Sequence, residues 1–278
     1  MRKILTFLIA LAAVAFAICS PATAQCSRMG GGVLVCNPAP GAPGYTAQGV
    51  YFDATTSTKR GGQFTGIADS KVGTISFWFK AVGGDGTNME LFAQDFGTHG
   101  GVSFFRLSSG LFRIQLQNSA GTNIFLGTNN TNTFNVADGW KHFLASWDLS
   151  TTTMQIYVED VSDLGTPSAN TNDTINYSSV DGQWWMFVNS GSPGNADITD
   201  LYFDPTTHLD LSVTANRRKF ISAGLAPVDL GATCQLPTGS QPIACFKGPF
   251  GSFNTNVGTG GNFTTNAGAL QAAGSNPP

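Results

Sequence analysis

The chain has 278 residues, of which only 11% are charged, and its formal net charge at pH 7 is −3. An average globular protein carries about 25% charged residues, so Thr, Ser, Asn and Gln must supply most of the polar surface here. The small acidic excess argues against broad electrostatic attraction to nucleic acid. The length is sufficient for one large domain with a substantial core.

The N-terminus has the features of a secretory signal. Arg2 and Lys3 precede an apolar run over residues 4–18, and Ala22-Thr23-Ala24 fits the small-x-small cleavage rule. The apolar run is shorter than the roughly 20 residues that span a bilayer. We therefore predict a signal peptide over residues 1–24 and a secreted protein, periplasmic, cell-surface or extracellular. Cleavage would remove two of the 14 basic residues and leave 12 against 17 acidic ones, a net charge of −5.

Cleavage would also leave an even number of cysteines. These are Cys26, Cys36, Cys234 and Cys245. In an exported protein, such cysteines are expected to form disulfides. Three pairings are conceivable, and we favour the local pairs Cys26–Cys36 and Cys234–Cys245. Cross-pairing of the two ends stays open, since the termini of a domain often lie close together.

The middle of the chain reads as a series of short strands. Residues 25–48 are rich in Gly and Pro and predict an irregular, disulfide-tied lead-in. From residue 49 to about residue 204, strand candidates alternate with turn signals and no long helical pattern appears, which predicts an all-β, antiparallel sandwich or jelly roll. The predicted strands outside the central hairpin are 74–80, 89–96, 102–107, 112–117, 124–126, 183–188 and 198–203.

A hairpin over residues 139–161 gives the strongest signal. Its second strand places Met154, Ile156 and Val158 on one face and Gln155, Tyr157 and Glu159 on the other. The sequence of this hairpin, GWKHFLASWD followed by a Ser/Thr turn, resembles that of laminin-G-like modules of the concanavalin A-like lectin/glucanase superfamily. There a strand reading roughly W-x-H-h-A-x-x-W-D runs through a turn into a strand ending near V-D-G. The resemblance implies a β-sandwich of the binding-module kind, but no particular ligand.

The C-terminal third predicts one helix, one strand and a coil. Ser212 can cap a helix over residues 212–223, and Gly224 can end it. A strand is predicted at 242–247. Residues 248–278 carry no charge and predict coil, with Phe253, Phe263 and Leu270 as docking points on the sandwich. We thus expect a jelly roll over residues 49–231 and a low-charge extension over 232–278.

The same region carries a second resemblance. The run ANRRKFISAGLAPVDLG, then PTG, FNTNVGTGGNF and GAL, is similar to tails that follow laminin-G-like modules in uncharacterised phage and bacterial proteins.

Catalytic patterns are weak. The superfamily's glucanases align carboxylates as E-x-D-x-E, whereas the only glutamates here, Glu90 and Glu159, lie in different predicted strands. Simple alternation places Asp200 and Asp204 on one strand face about 13 Å apart and Asp197 on the other, whereas glycosidases need about 5 to 9.5 Å. The strand motifs of jelly-roll polysaccharide lyases are not visible. We therefore predict no enzymatic activity.

Several polar residues have a plain structural interpretation. His142 is expected to be satisfied within the sheet. His99, in a Gly-rich loop, is interpreted as a turn residue, with ligand contact left open. The basic run Arg217-Arg218-Lys219 is expected to form a solvated face near a helix C-terminus, or to contact an anionic glycan or membrane surface.

The candidate binding residues centre on adjacent tryptophans. Neighbours in a strand face opposite ways, so one of Trp184 and Trp185 is expected in the core and the other at the surface. The candidate ligand-binding set is Asp95, His99, Trp184, Trp185 and Asn189. The laminin-G resemblance implies calcium as a possible cofactor at rim carboxylates, for which Asp95 and Asp148 are the candidates. Asp148 equally fits a turn-starting aspartate.

These observations predict a secreted, non-catalytic binding protein whose partner is an extracellular glycan or another surface ligand, in the manner of a lectin or adhesin. The alternative is a structural or assembly protein of the cell surface or a phage-related particle. An exposed aromatic residue on a sheet face would favour the lectin. An edge-strand or flat apolar patch would favour assembly, and converging carboxylates would favour an enzyme. The oligomeric state is left open.

Overall fold

Two eight-stranded antiparallel sheets pack face to face, and a separate two-stranded ribbon precedes them. The computed structural model describes residues 24–28, 34–38, 45–94, 101–179, 182–187 and 194–278, so the predicted signal peptide lies outside it except for Ala24. The strands are β1 Ala24–Arg28, β2 Leu34–Pro38, β3 Val50–Phe52, β4 Ser57–Arg60, β5 Val72–Ala81, β6 Met89–Gln94, β7 Val102–Arg106, β8 Phe112–Gln117, β9 Asn123–Thr128, β10 Lys141–Asp148, β11 Thr153–Val158, β12 Val161–Ser162, β13 Ala169–Asn170, β14 Trp184–Met186, β15 Ala196–Asp204, β16 Ala244–Phe246, β17 Thr265–Ala267 and β18 Gln271–Ala272. The helices are α1 Thr214–Arg217 and two 3-10 turns, Val136–Asp138 and Phe250–Ser252.

The first sheet has the order β12-β11-β10-β5-β15-β3-β18, with β16 also pairing with β15. The predicted hairpin is confirmed as β10 and β11, with Trp147 opposite Met154. A two-residue turn then leads into β12. Both of its residues, Glu159 and Asp160, have positive φ angles of 50° and 65°, as the turn type that best matches the twist of a hairpin requires.

Strand β15 contains a bulge that changes which side chains share a face. Its register against β5 shifts between Thr199 and Tyr202, and Asp200 within the shift has a φ of 50°. Asp197 and Asp204 stand opposite Lys80 and Thr74, which lie on one face of the regular strand β5. The expectation that Asp197 and Asp204 lie on opposite faces is therefore wrong, because an extra residue in a bulge reverses the alternation.

The second sheet has the order β13-β9-β8-β7-β6-β14-β4-β17. Its inner face packs on the first sheet through aromatic side chains, which fill the space between the sheets. Trp184 lies 5.4 Å from Phe203 of the first sheet, and Phe112 lies 5.2 Å from Phe77, measured between ring centroids. The Trp147 indole donates to the Tyr177 hydroxyl over 2.9 Å, which satisfies a buried polar group within this core.

One stretch of chain closes each side of the sandwich. Residues 161–170 supply β12 to the first sheet and β13 to the second, while residues 265–272 supply β17 to the second and β18 to the first. The coil expected over 248–278 is therefore wrong in these two strands. These short strands are held by backbone pairing, and their side chains do not alternate between apolar and polar. The sequence therefore has no strand signal there. The docking points are confirmed, since Phe253 and Phe263 are buried and Leu270 packs against the core.

Residues 205–236 cover the outer face of the first sheet. Leu211, Phe220 and Leu230 pack there on Leu144 and Tyr202. The helix predicted over residues 212–223 is limited to Thr214–Arg217, after which the chain continues in turns that bury both Phe220 and Ile221. In the described ranges, no helix is long and apolar enough to cross a bilayer.

The basic run is held by an acidic partner. Arg217 and Arg218 both pair with Asp160, over 2.5 and 2.6 Å, and the Arg217 guanidinium also lies 4.7 Å from the Tyr157 ring centroid. The expected solvated face is therefore wrong for these two arginines, which instead fasten the covering segment to the β11–β12 turn.

The structure confirms one of the favoured disulfides. Cys234 and Cys245 are bonded, and both are fully buried. In the N-terminal ribbon, Cys26 stands opposite Cys36. Directly opposed antiparallel residues have Cα atoms about 4.5 to 5.5 Å apart, which lies within the range that disulfides span. A Cys26–Cys36 bond stays a prediction.

Removal of the Cys234–Cys245 bond should destabilise the sandwich. The bond closes a loop with a sequence separation of 11, for which the chain-entropy relation gives about 3 kcal/mol. Urea unfolding of the Cys234→Ser/Cys245→Ser variant should show this loss. The matched control is Cys26→Ser/Cys36→Ser, because the ribbon pairs with neither large sheet and the main transition should not move. Equal midpoints for all three proteins would contradict the prediction.

Candidate functional site

The outer side of the second sheet carries a row of aligned side chains, of which Ala93 and Ser103 are buried. Strand register aligns Lys59, Trp185, Ala93, Ser103, Gln115 and Leu126 across β4, β14, β6, β7, β8 and β9. Neighbouring strands are about 4.8 Å apart, so the row crosses roughly 24 Å of sheet. We name this surface the Trp185 face and define it by Lys59, Glu90, Phe105, Arg113, Gln115, Gln117 and Trp185.

The two tryptophans of β14 have different environments. Trp184 is fully buried, with its ring 4.9 Å from Phe64 and 5.0 Å from Phe92. Trp185 points to the opposite side and is half-buried, as the period of two in a strand requires. A ligand on the outer face could therefore reach Trp185, while Trp184 serves the core.

Each aromatic ring of the Trp185 face has a cation beside it. The Lys59 ammonium lies 4.3 Å from the Trp185 ring centroid, and the Arg113 guanidinium lies 4.6 Å from that of Phe105. Such contacts hold the long cationic side chains against the sheet. Burial lowers the pKa of Arg113, while nearby Glu90 opposes this effect.

Amide side chains continue the row beyond the rings. The Nε2 atoms of Gln115 and Gln117 each donate to Asn123 Oδ1 over 3.0 Å. On the next strands, the Ser103 hydroxyl donates to Glu90 over 3.0 Å. Amides both donate and accept hydrogen bonds, so this part of the face suits hydroxyl-rich ligands.

A shallow depression of about 310 Å³ lies at the end of β4. It is lined by Arg60, Gly61, Gly62, Asn262 and Thr264. The Arg60 Nε donates to Gln63 O over 2.6 Å, Nη1 to Asn262 O over 3.3 Å, and Nη2 to the Thr65 hydroxyl over 3.0 Å. All three acceptors are uncharged, and the guanidinium is fixed at the rim.

The other predicted ligand residues are not assembled with Trp185. Asp95, His99 and Asn189 lie outside the described residues. Asp148 starts a turn: its Oδ1 accepts from the Ser150 amide over 2.9 Å and from the Ser150 hydroxyl over 2.5 Å, and these bonds lower its pKa. In the part of the chain that the structure describes, no three His, Cys, Asp or Glu side chains are grouped to hold a metal. A calcium role for Asp95 and Asp148 stays a prediction.

His142 lies on the outer side of the first sheet, on strand β10 opposite Trp78. It is 1% exposed, its Nε2 is 2.8 Å from the Ser76 hydroxyl, and its ring lies 5.1 Å from that of Trp78. Burial lowers its pKa to about 3. This is the environment of a structural histidine that is neutral at ordinary pH.

The three aspartates of β15 bond to separate partners. Asp197 pairs with Lys80 over 3.3 Å, both oxygens of Asp200 accept from the Tyr45 hydroxyl over 2.8 and 2.9 Å, and Asp204 accepts from the Thr206 amide over 2.9 Å. Each of the three is nearly fully buried. Burial raises the pKa of Asp200 to about 6. These carboxylates hold together the packing around the first sheet.

Sequence reasoning singled out the pair Trp184 and Trp185 as candidates, but it missed the neighbours of Trp185. The alternation of Arg113, Gln115 and Gln117 did indicate one polar face on β8. The contributions of Lys59 and Phe105 depend on the register between strands that are distant in sequence. The depression at Arg60 is formed by chain segments about 200 residues apart, which no local pattern could indicate.

Comparisons with known proteins support the fold. No protein-family model matches the chain, and no curated protein matches it. One similar solved structure is that of a Bacteroides ovatus protein provisionally designated carbohydrate-binding. It has a TM-score of 0.51 and 13% sequence identity, and the match covers 90% of this chain and 66% of the Bacteroides chain. At that identity the likeness shows the fold alone, an antiparallel jelly-roll sandwich.

Two further solved structures are more distant. A heptameric SAP-like pentraxin from Limulus polyphemus has a TM-score of 0.43 at 13% identity. The match covers 60% of this chain and 79% of the pentraxin chain. Domains LG4-5 of the mouse laminin α1 chain have a TM-score of 0.41 at 13% identity. That match covers 65% of this chain and 45% of the laminin chain.

Two buried groups should give the protein's stability opposing pH dependences. His142 binds no proton in the fold between its ordinary pKa of 6.5 and about 3, so its contribution is complete above pH 6.5 and is lost as the pH falls. Asp200 stays protonated in the fold up to about pH 6, against 3.8 ordinarily, so its contribution is present below pH 3.8 and is lost as the pH rises. Between about pH 4 and 6 the two slopes should cancel.

Substituting either residue should reveal the pH dependence of stability that the other residue contributes. As the pH falls from 6 to 4, Asp200→Asn should lose stability more steeply than the wild type, by about 1.4 kcal/mol per pH unit. His142→Asn should instead gain stability relative to the wild type as the pH falls over this range, because only the Asp200 contribution remains. Urea unfolding at several pH values measures both slopes, and parallel curves for the three proteins would refute this assignment.

Proposed function

We propose that the protein is an exported, non-catalytic carbohydrate-binding protein whose ligand lies on the Trp185 face. The observation that carries the proposal is the half-buried Trp185 ring on an outer sheet face, in line with polar amides. An aromatic ring can stack on the apolar face of a sugar, while amides and carboxylates bond its hydroxyls. The predicted signal peptide and the Cys234–Cys245 disulfide support export.

The spacing of the face favours an extended ligand. Gln115 is three strands away from Trp185, which corresponds to roughly 14 Å of sheet. A single sugar ring on Trp185 could not also reach the amides of β8. We therefore infer that the ligand is an oligosaccharide or polysaccharide lying across the strands.

Assembly through sheet edges has less support. The outermost strands β12, β13 and β18 have two residues each, and β17 has three. Such short edges offer little unpaired backbone to a second copy. In the described ranges, the exposed large apolar residues are scattered over several elements.

Loss of the Trp185 ring should weaken glycan binding. Trp185→Ala should reduce affinity for a bound polysaccharide by at least about tenfold, because it removes the stacking surface. Affinity electrophoresis or calorimetry measures the change, with thermal unfolding as the check on folding. The matched control is Phe250→Ala, which removes another exposed aromatic ring, 45% accessible and outside this face. Equal losses in both variants would contradict the proposed site.

A polysaccharide and glycan array on residues 25–278 would identify the ligand, first with calcium and then with EDTA. Binding that EDTA leaves intact would support the aromatic platform. Binding that EDTA abolishes would move the site to rim carboxylates such as Asp95. A blank array in both conditions would overturn carbohydrate binding and favour the assembly role.

A further inference from the structure

A second row of aromatic and polar side chains lies on the outer side of the first sheet. Tyr51 stands opposite Asp197, which in turn stands opposite Lys80. Trp140, directly before β10, continues the row on the far side of Lys80. Three strand spacings, roughly 14 Å, separate the two aromatic residues, and both are half-buried. We name these four residues the Trp140 row.

The polar groups of the Trp140 row suit a neutral ligand. The Lys80 ammonium lies 3.3 Å from Asp197 Oδ2, so the two charges cancel. Asp197 is 1% exposed, and its Oδ1 accepts no hydrogen bond from the described residues. A buried carboxylate oxygen without a donor is unfavourable, so a hydroxyl that donates to it would be stabilised. The rings at both ends can stack on sugars.

A strap formed by residues 273–276 lies over one end of the row, between β18 and the buried Pro277. The Ser275 hydroxyl accepts from the Trp140 indole and from the Lys80 ammonium, over 3.1 Å in both cases. Trp140 also donates to Ser275 O over 3.2 Å. A sugar hydroxyl has the same capacity to accept these hydrogen bonds. The strap therefore occupies the donors that such a ligand would use.

The strap is held by hydrogen bonds near the surface. Ala273 N–H donates to Gly49 O, and Gly49 N–H donates to Asn276 Oδ1, each over 3.0 Å. Gly274, Ser275 and Asn276 are exposed. Hydrogen bonds in such positions contribute little net free energy, because water competes for both partners. A ligand could therefore displace the strap without disturbing the sheets.

We propose that the Trp140 row binds a neutral oligosaccharide and that residues 273–276 regulate this site by competing with the ligand. The inference goes beyond the proposed function, since the Trp185 face belongs to the other sheet. A ligand binds only those molecules in which the strap is open. The apparent affinity is therefore reduced by the open fraction, and release of the strap should restore it.

The test removes the Trp185 face first, so that the second site is measured alone. In a Trp185→Ala background, the pair of substitutions Ala273→Pro and Asn276→Ala deletes both hydrogen bonds to Gly49. This release variant should bind at least one of four neutral polymers about tenfold more tightly than the Trp185→Ala protein does. The polymers are hydroxyethylcellulose, laminarin, galactomannan and dextran, and affinity electrophoresis measures the change.

A control within the strap and a change in the row assign the gain. Gly274→Ala is the matched control, because its Cβ would meet no atom within 4 Å and the strap should stay closed. Trp140→Ala added to the release variant should abolish the gain. Trp140→Phe, which keeps a ring but loses the indole N–H, should reduce it. Amide hydrogen exchange at Gly49 should be faster in the release variant alone, at an unchanged unfolding temperature.

The outcomes separate this inference from the proposed function. An unchanged affinity in the release variant, or a gain that survives Trp140→Ala, would overturn the second site. Unchanged exchange at Gly49 would show that the strap is not held as described and would also overturn it. A gain that needs Trp140, with no effect of Trp185→Ala on the intact protein, would support this site and contradict the Trp185 face. No binding of any of the four polymers by the release variant would overturn the inference.

Discussion

The complete burial of β15 is the constraint on which the sandwich depends. All nine of its residues are buried, so every backbone polar group must find a partner within the protein. One edge pairs with β5, and the other pairs with β3 at its beginning and β16 at its end. The bulge at Asp200 lies where the second edge changes partner, and the Tyr45 hydroxyl bonds its carboxylate there. One strand thereby joins segments from both ends of the chain.

The candidate site follows from the core that β15 anchors. Phe203 of this strand contacts Phe92 and Trp184 across the sandwich. Because Trp184 is fixed by these contacts, the period of two in β14 directs Trp185 outward. Lys59 then reaches the ring through the pairing of β4 with β14. The platform on the outer face is thus positioned by packing on the inner face, on rigid strands that are favourable for a binding site.

The local sequence predicted the elements whose side chains carry a clear period. Strand β8 has the predicted bounds, and β10 and β11 form the predicted hairpin. The bulge in β15 could not be predicted, because it accompanies a change of pairing partner that depends on segments distant in sequence. The helix predicted after Ser212 is shorter in the structure, because the chain leaves the helix at Arg217 and continues in turns that bury Phe220 and Ile221. At the candidate site, the sequence indicated that one of Trp184 and Trp185 faces outward. Which of the two does so depends on the packing of the core, which buries Trp184. Lys59 and Arg60 lie in a short polar strand, STKR, which has no apolar signal.

The stretch of chain that supplies β17 and β18 has a consequence for the order of folding. It bonds partners more than 200 residues earlier, as in the Thr58–Asn266 contact with a separation of 208. Such non-local pairing is formed late and slowly, since the closure of a long loop must precede its contacts. Both sheets therefore stay open on this side until residues near the C-terminus are available. A chain still being synthesised therefore cannot complete either sheet until its last strands have been made.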